Sequence, residues 1–371
     1  MICHTYDGSA RRVKNVKPTR SHPTFDTALQ PVVAGREEPS MTQVCISGVG
    51  AYAPPERRTN QHLAAELGVT EAHIVKLTGI CERRLASSHE ATSDMAFEAS
   101  QAALQNAKVA PEEIDGVLVA TATADYPTPS VANLLQHRLG MRQVPAYDLN
   151  AGCTGSLYAL ITGAGLIQAG LFRKVLVVGA ELTSRIVDAT DIETALVFGD
   201  AAGAVILQPG EAQNAGFRLL SHTWASDGSK ADVIRIPAGG SREPASHATV
   251  DNRQHYLRMN GGRVYRFAVR ILPMLVKEVL ERAGRSLDDL KLLIPHQANW
   301  RIIESAMQKL KLSRERVAVN IDQYGNTSSA SVLLALSEVC QGGRLQPGDT
   351  LVMASFGAGL TWAAVAMETL G

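Results

Sequence analysis

From Met41 onward, short β-branched runs alternate with longer helical segments, and one glycine-led run occurs twice. Such alternation restricts the chain to an α/β domain whose sheets are largely buried between helices. The predicted strands include Val44-Cys-Ile-Ser-Gly-Val-Gly, Gly116-Val-Leu-Val-Ala-Thr, Lys174-Val-Leu-Val-Val-Gly-Ala and Ala204-Val-Ile-Leu. Helical patterns occupy about 92–107, 130–138, 154–169 and 263–283. The repeated run is Phe198-Gly-Asp-Ala-Ala-Gly-Ala-Val-Ile-Leu, before Pro209, and Phe356-Gly-Ala-Gly-Leu-Thr-Trp-Ala-Ala-Val-Ala-Met, near the C-terminus. Both read as a glycine turn feeding a small-residue strand. An internal duplication is predicted from this echo, with a first half over 41–213 and a second over 214–371. The stretch 209–260, rich in Gly, Ser, Asp and Asn, is predicted to contain loops over the substrate entrance.

A chain of 371 residues can bury two cores, or one large duplicated core. Its 36 basic and 36 acidic residues cancel, which leaves no electrostatic footprint for nucleic acid or a membrane surface. No apolar run approaches the roughly 20 residues that a bilayer span needs. Cys3, Cys45, Cys81, Cys153 and Cys340 form an odd set without CxxC pairing, which argues for a reducing cytoplasm over a secreted disulfide framework. Scattered His residues predict no metal site. Residues 1–40 hold Arg11, Arg12, Lys14, Lys17 and Arg20 among Ser, Thr and Pro, without an apolar core for a secretory signal. They read as a disordered or over-extended N-terminus, with a basic transit peptide as the alternative.

Three segments carry reactive side chains among small residues: Ala151-Gly-Cys153-Thr-Gly155, Ile294-Pro-His296-Gln-Ala-Asn299 and Tyr324-Gly-Asn326-Thr-Ser-Ser. Each is predicted to sit at a strand end. A thiol, an imidazole and a carboxamide are suited to moving acyl groups between thioesters. Cys153 precedes a predicted helix of small residues, where the macrodipole and free N–H groups lower a thiol pKa from about 8.5 towards roughly 3.5–7.5. Cys45 and Cys340 lie on apolar elements and read as core. No base is evident near Cys81. Taken alone, His296 is a structural residue at a strand end and Asn326 a turn residue after glycine.

In this order and with these neighbours, the three motifs resemble the β-ketoacyl-acyl-carrier-protein synthase III group of thiolase-like condensing enzymes. Lys76-Leu-Thr-Gly79-Ile-Cys-Glu-Arg83 resembles that group's early arginine-rich motif, and both glycine-rich runs match as well. The resemblance covers about Met41 to Gly371. It implies two βαβαβαββ-like halves stacked as five layers, α-β-α-β-α, and no cofactor. It implies that Cys153 accepts an acyl group from acyl-coenzyme A or an acyl carrier protein. His296 and Asn326 would then hold a malonyl-acyl-carrier-protein thioester while CO₂ leaves, and the carbanion equivalent would attack acyl-Cys153. The backbone N–H groups of Cys153 and Ala358 would form the oxyanion hole, with Ala358 standing where glycine is common.

At the donor end the match is less complete. His73 stands in place of the tryptophan that stacks on the adenine of coenzyme A, and Leu77 in place of an arginine, while Arg185 matches a second adenine-flanking arginine. Arg301 and Lys309 match positions used for carrier-protein docking; a solvated helix face is the bland alternative. Thr128 stands where acetyl-preferring relatives carry phenylalanine, a residue reaching the acyl pocket across a homodimer interface. Refilling by neighbours would cancel the room this leaves. A degradative thiolase needs a second catalytic cysteine, absent from Phe356-Gly-Ala-Gly, and chalcone-synthase-like enzymes lack Pro-His-Gln-Ala-Asn. The remaining alternative is an acyltransferase of secondary metabolism that loads Cys153 but delivers to an amine or alcohol without decarboxylation. A catalytically dead interaction subunit should have lost part of the Cys–His–Asn set, and this chain keeps all three.

Overall fold

The computed structural model describes residues 42–210 and 216–371. The extension over 1–40 and the boundary near 213 lie outside the described residues. In chain order the strands are β1 Val44–Tyr52, β2 Glu56–Thr59, β3 Glu82–Leu85, β4 Gly116–Ala120, β5 Ala146–Leu149, β6 Val175–Glu181 and β7 Ala201–Pro209. Then follow β8 Phe217–Ser226, β9 Ile234–Arg235, β10 Arg258–Met259, β11 Leu290–Pro295, β12 Thr350–Gly357 and β13 Thr361–Thr369. Nine of them form one sheet in the order β11-β12-β13-β8-β1-β7-β6-β4-β5.

That order is two similar halves joined edge to edge. In the first, β4 pairs parallel with β6, β6 antiparallel with β7, and β7 antiparallel with β1. In the second, β11 pairs parallel with β12, β12 antiparallel with β13, and β13 antiparallel with β8. The join between β1 and β8 is short, with Cys45 opposite Arg218 and Ile46 opposite Phe217. The two glycine-led runs feed β7 and β13, which hold equivalent places in the halves.

Alternation along each strand distributes the layers. Leu118 and Ala120 of β4, with Val175 and Val177 of β6, point into a core that also receives Leu351 and Met353 of β12. The helices Gly155–Gln168 and Ser331–Gln341 fill that central core. The opposite faces, Val117 and Val119 of β4, bury against the helices Thr92–Ala107 and Val131–Arg138. In the second half, Val352 and Ala354 bury against the helices Gly261–Arg282 and Trp300–Leu310. Helix, sheet, helix pair, sheet and helix make five layers. Strands buried on both faces read as unbroken apolar runs, which is why β4 and β6 were plain in the sequence.

One strand was missed and one expectation needs correction. Within 209–260, β8 is a ten-residue strand that was not among the predicted ones; it is central to the sheet and paired with β13 along most of its length. Its polar Ser221, His222 and Thr223 mask the strand pattern, and pairing with residues some 140 positions away supplies what local propensity does not. Cys340, expected in the core, is exposed at the end of its helix, whereas Cys45 is buried.

Candidate active site

Cys153, His296, Asn326 and Ala358 line one pocket of about 160 Å³. Its walls are mainly apolar and include Ile186, Phe198, Leu257, Met259, Phe267 and Phe356. Each of the three side chains is held by local contacts that can be traced to its motif.

Cys153 follows β5 within a 3-10 turn, Gly152–Thr154, that leads into the helix starting at Gly155. Opposite lies the end of β12. A Cβ built on Gly357 would stand 2.7 Å from the Cys153 nitrogen, so only glycine lets these backbones meet. Thr361 fixes the approach by donating to the Ala151 and Ala358 carbonyls, each at 2.9 Å, and Ser355 donates to the Cys153 carbonyl at 2.8 Å. These bonds hold the Cys153 and Ala358 amides on facing stretches of backbone.

His296 follows β11, and its N–H donates to the Ala354 carbonyl at 2.8 Å. Gln297, 1% exposed, donates to the Pro295 and Ala318 carbonyls and accepts from the N–H groups of Asn320 and Ile321. Asn299 caps the helix Trp300–Leu310 by accepting from the Arg301 N–H. The Pro-His-Gln-Ala-Asn run therefore locks a strand end to a helix start. Ser331 Oγ lies 2.6 Å from His296 Nδ1; a hydroxyl donating there leaves the ring proton on Nε2 for the pocket. Burial pushes the imidazole down to about 3, so the ring is neutral near pH 7.

Asn326 differs from expectation, because it follows a four-residue helix, Ile321–Tyr324, and not a strand. Its backbone pairs with the segment beside β7: the Asn326 N–H donates to Val197 and its carbonyl accepts from Gly199. Gly325 permits this with φ of 65°, and a Cβ there would stand 2.8 Å from the Val197 oxygen. The Ser328 N–H donates to Asn326 Oδ1 at 2.9 Å, which leaves Nδ2–H as the free end of the amide.

The electrostatics overturn one expectation. Desolvation at the sulfur pushes the Cys153 thiol up to about 11, a bond from Ser328 lowers it in part, and the nearby Glu181 carboxylate adds to the rise. The helix-start effect predicted from sequence loses to burial. Exclusion of water around the sulfur is the largest cause, and burial in apolar surroundings raises a cysteine pKa.

Glu181 and Ser331 were not foreseen. Glu181 ends β6 at the pocket and is 1% exposed. A carboxylate closing an otherwise apolar strand, Val-Leu-Val-Val-Gly-Ala-Glu, was the available signal. Ser331 lies five residues past Asn326 and could be recognised only once folding set it beside His296.

The chain matches the family described as 3-oxoacyl-[acyl-carrier-protein] synthase III over residues 147–228, and that family's C-terminal region over 280–369. A β-ketoacyl-[acyl-carrier-protein] synthase III of Rhodopirellula baltica is 46% identical over 334 residues, covering 86% of this chain and 96% of the relative. The chain belongs to the β-ketoacyl-[acyl-carrier-protein] synthase III family. The Thermus thermophilus synthase III structure superposes with a TM-score of 0.80 at 43% identity, over 88% of this chain and 99% of that one. The priming β-ketosynthase of the R1128 polyketide pathway superposes with a TM-score of 0.80 at 33% identity, covering 90% of this chain and 98% of that one. The five-layer architecture is thus that of the synthase III enzymes.

The remaining predicted residues lie outside the pocket lining. His73, on the helix Glu71–Thr78, and Arg185 are exposed; Arg185 donates to the Ser87 carbonyl at 2.9 Å. Arg301 and Lys309 are exposed on the helix whose first turn supplies Ile302 to the pocket. Arg301 Nε donates to the Lys76 carbonyl and Lys309 Nζ to the Val269 carbonyl. Arg301 also borders a surface hollow with Lys76 and Arg314. Thr128 is exposed and lines no part of its own chain's pocket. Among the described residues no cluster of His, Cys, Asp or Glu could hold a metal, and no helix is long and apolar enough to cross a membrane.

Proposed function

We propose that the protein is a β-ketoacyl-[acyl-carrier-protein] synthase III that starts fatty-acid or polyketide chains. The observation that carries this is the convergence of Cys153, His296 and Asn326 on one pocket, with the latter two oriented as donors. In the acyltransfer step, Cys153 attacks an acyl thioester, the carrier thiol leaves, and the acyl group stays on sulfur. A malonyl thioester then places its carbonyl oxygen against His296 Nε2–H and Asn326 Nδ2–H. The bond to its carboxylate breaks, CO₂ leaves, and the electron pair enters the enolate that these two donors hold. The carbon attacks acyl-Cys153, the Cys153 and Ala358 N–H groups hold the oxyanion, and the sulfur departs with the product released. A neutral imidazole suits this role, since it donates without needing to be protonated. Release of CO₂ from malonyl-acyl-carrier-protein by the unmodified protein, together with a 3-oxoacyl product, is the test. If no CO₂ is released, delivery of the acyl group to an amine or alcohol replaces condensation.

Arg301 and Lys309, beside the pocket on one helix, fit docking of an acidic carrier protein, and the exposed Arg185 and His73 fit a looser hold on coenzyme A. In a homodimer of the cytoplasm, Thr128 would close the acyl pocket across the interface. A small side chain there leaves room for further methylenes, each contributing about 0.8 kcal/mol on burial. Medium acyl chains should therefore load better than acetyl, and carrier-protein thioesters better than coenzyme A thioesters. Thr128→Phe should shift the preference to short chains and leave the handle preference unchanged. Profiles of kcat/KM against chain length, with both handles, check this. Acetyl-coenzyme A as best donor, unaffected by Thr128→Phe, refutes it.

A further inference from the structure

One buried acid at the pocket has no part in the chemistry above. Glu181 accepts four hydrogen bonds: from Ser329 Oγ at 2.8 Å and Ser328 Oγ at 3.3 Å on one oxygen, and from Thr123 Oγ1 at 2.9 Å and the Ala122 N–H at 3.1 Å on the other. All four donors are neutral. A buried carboxylate is costly unless paired with a cation or used, and these contacts bring no cation to it. Ser328 also stands 3.5 Å from Cys153 Sγ, so its hydroxyl bridges the thiol and the carboxylate. Its backbone holds φ of 50°, a left-handed conformation that serine seldom adopts and that clusters at functional sites. That backbone turn sets the hydroxyl between the two groups, while the same residue's N–H orients Asn326.

The geometry points to Glu181 as the base that removes the Cys153 proton through the Ser328 hydroxyl when an acyl group is loaded. The inference rests on Cys153 being the nucleophile. As Sγ attacks the thioester carbonyl, the thiol proton passes to Ser328 Oγ and the serine's own proton passes to Glu181 Oε1. When the intermediate collapses, the bond from carbonyl carbon to carrier sulfur breaks. Glu181 then returns its proton to Ser328 Oγ, whose own proton passes to the departing carrier thiolate, so the carboxylate and the hydroxyl return to their starting forms.

Electrostatics support the assignment. The titratable groups lining the pocket are Cys153, Glu181, His296 and Tyr265. Burial holds the Cys153 thiol neutral and weakens His296 as a base, while burial raises Glu181, the direction that strengthens a carboxylate as a proton acceptor. General-base assistance of this kind contributes typically about 10²–10⁴ in rate.

Glu181→Gln and Ser328→Ala test it by rapid-mixing measurement of Cys153 acylation and of alkylation by iodoacetamide. Alkylation needs the same deprotonation but no acyl donor, so it reads the relay even if acyl groups were found on another cysteine. Removing the Glu181 charge should, on electrostatics alone, make the thiolate easier to form and speed both reactions. The relay requires the opposite: both variants slow both reactions at pH 7 by at least about 10-fold. Their rates should then rise only as pH approaches the range of the unaided thiol. Malonyl decarboxylation is followed in parallel, and loading must fall at least about 10-fold further than decarboxylation. Glu181→Gln reacting as fast as the parent or faster overturns the relay, whatever Ser328→Ala does. Equal losses in loading and decarboxylation assign Glu181 a structural role and overturn it too.

Discussion

Replacing Cys153 with alanine should abolish acyl loading altogether, because no other described cysteine shares its surroundings. Cys45 is buried between β7 and β8, and Cys81 and Cys340 are exposed away from the pocket lining. Among the described cysteines, Cys153 alone lines the pocket, with a hydroxyl 3.5 Å from its sulfur. Peptide mass spectrometry after incubation with a panel of acyl thioesters should find the acyl mass on the peptide carrying Cys153, and nothing in Cys153→Ala. Acylation on Cys45, Cys81 or Cys340 would refute the assignment. The variant should still fold, since the pinning bonds from Ser355 and Thr361 go to backbone atoms.

Asn326→Ala should separate the two half-reactions. The side chain's Nδ2–H is aimed by a backbone bond on its other end, and the proposed mechanism gives it no part in acyl transfer to Cys153. Removing one donor to a developing oxyanion costs about 10²–10³ in rate, so malonyl decarboxylation should fall by that factor while loading persists. His296→Ala should give a loss of the same order. A further consequence follows from burial of the imidazole. With its pKa pushed down to about 3, the ring gains a proton only in strong acid. Decarboxylation by Cys153→Ala should therefore show no limb near pH 6.5, the range of an ordinary histidine. A rate that follows such a limb would mean the ring works as an acid or base and not as a neutral donor. Stopped-flow detection of CO₂ across pH 5–8 decides between these.

Much of this protein could be read before its coordinates. The strands at 116–120 and 175–181 and the helix at 92–107 follow from local periodicity, because a strand buried on both faces needs an apolar run and a helix of this kind needs spaced alanines and leucines. Cys153, His296 and Asn326 were legible through the resemblance that their three motifs carry together, because taken alone the last two read as a strand-end residue and a turn residue. What pairs at long range left no local imprint. The strand status of β8 depends on β13, and the Ser331 contact to His296 depends on a helix packing beneath β11. The thiol's ionisation also escaped local reading. A cysteine near a helix start looks activated in sequence, but its pKa is decided by how much water two sheets and a central helix pair exclude. Glu181 shows the same limit from the other side. One residue at the end of an apolar run is unremarkable until folding sets it one hydroxyl away from the nucleophile, because proximity across layers is a property of packing and not of spacing along the chain.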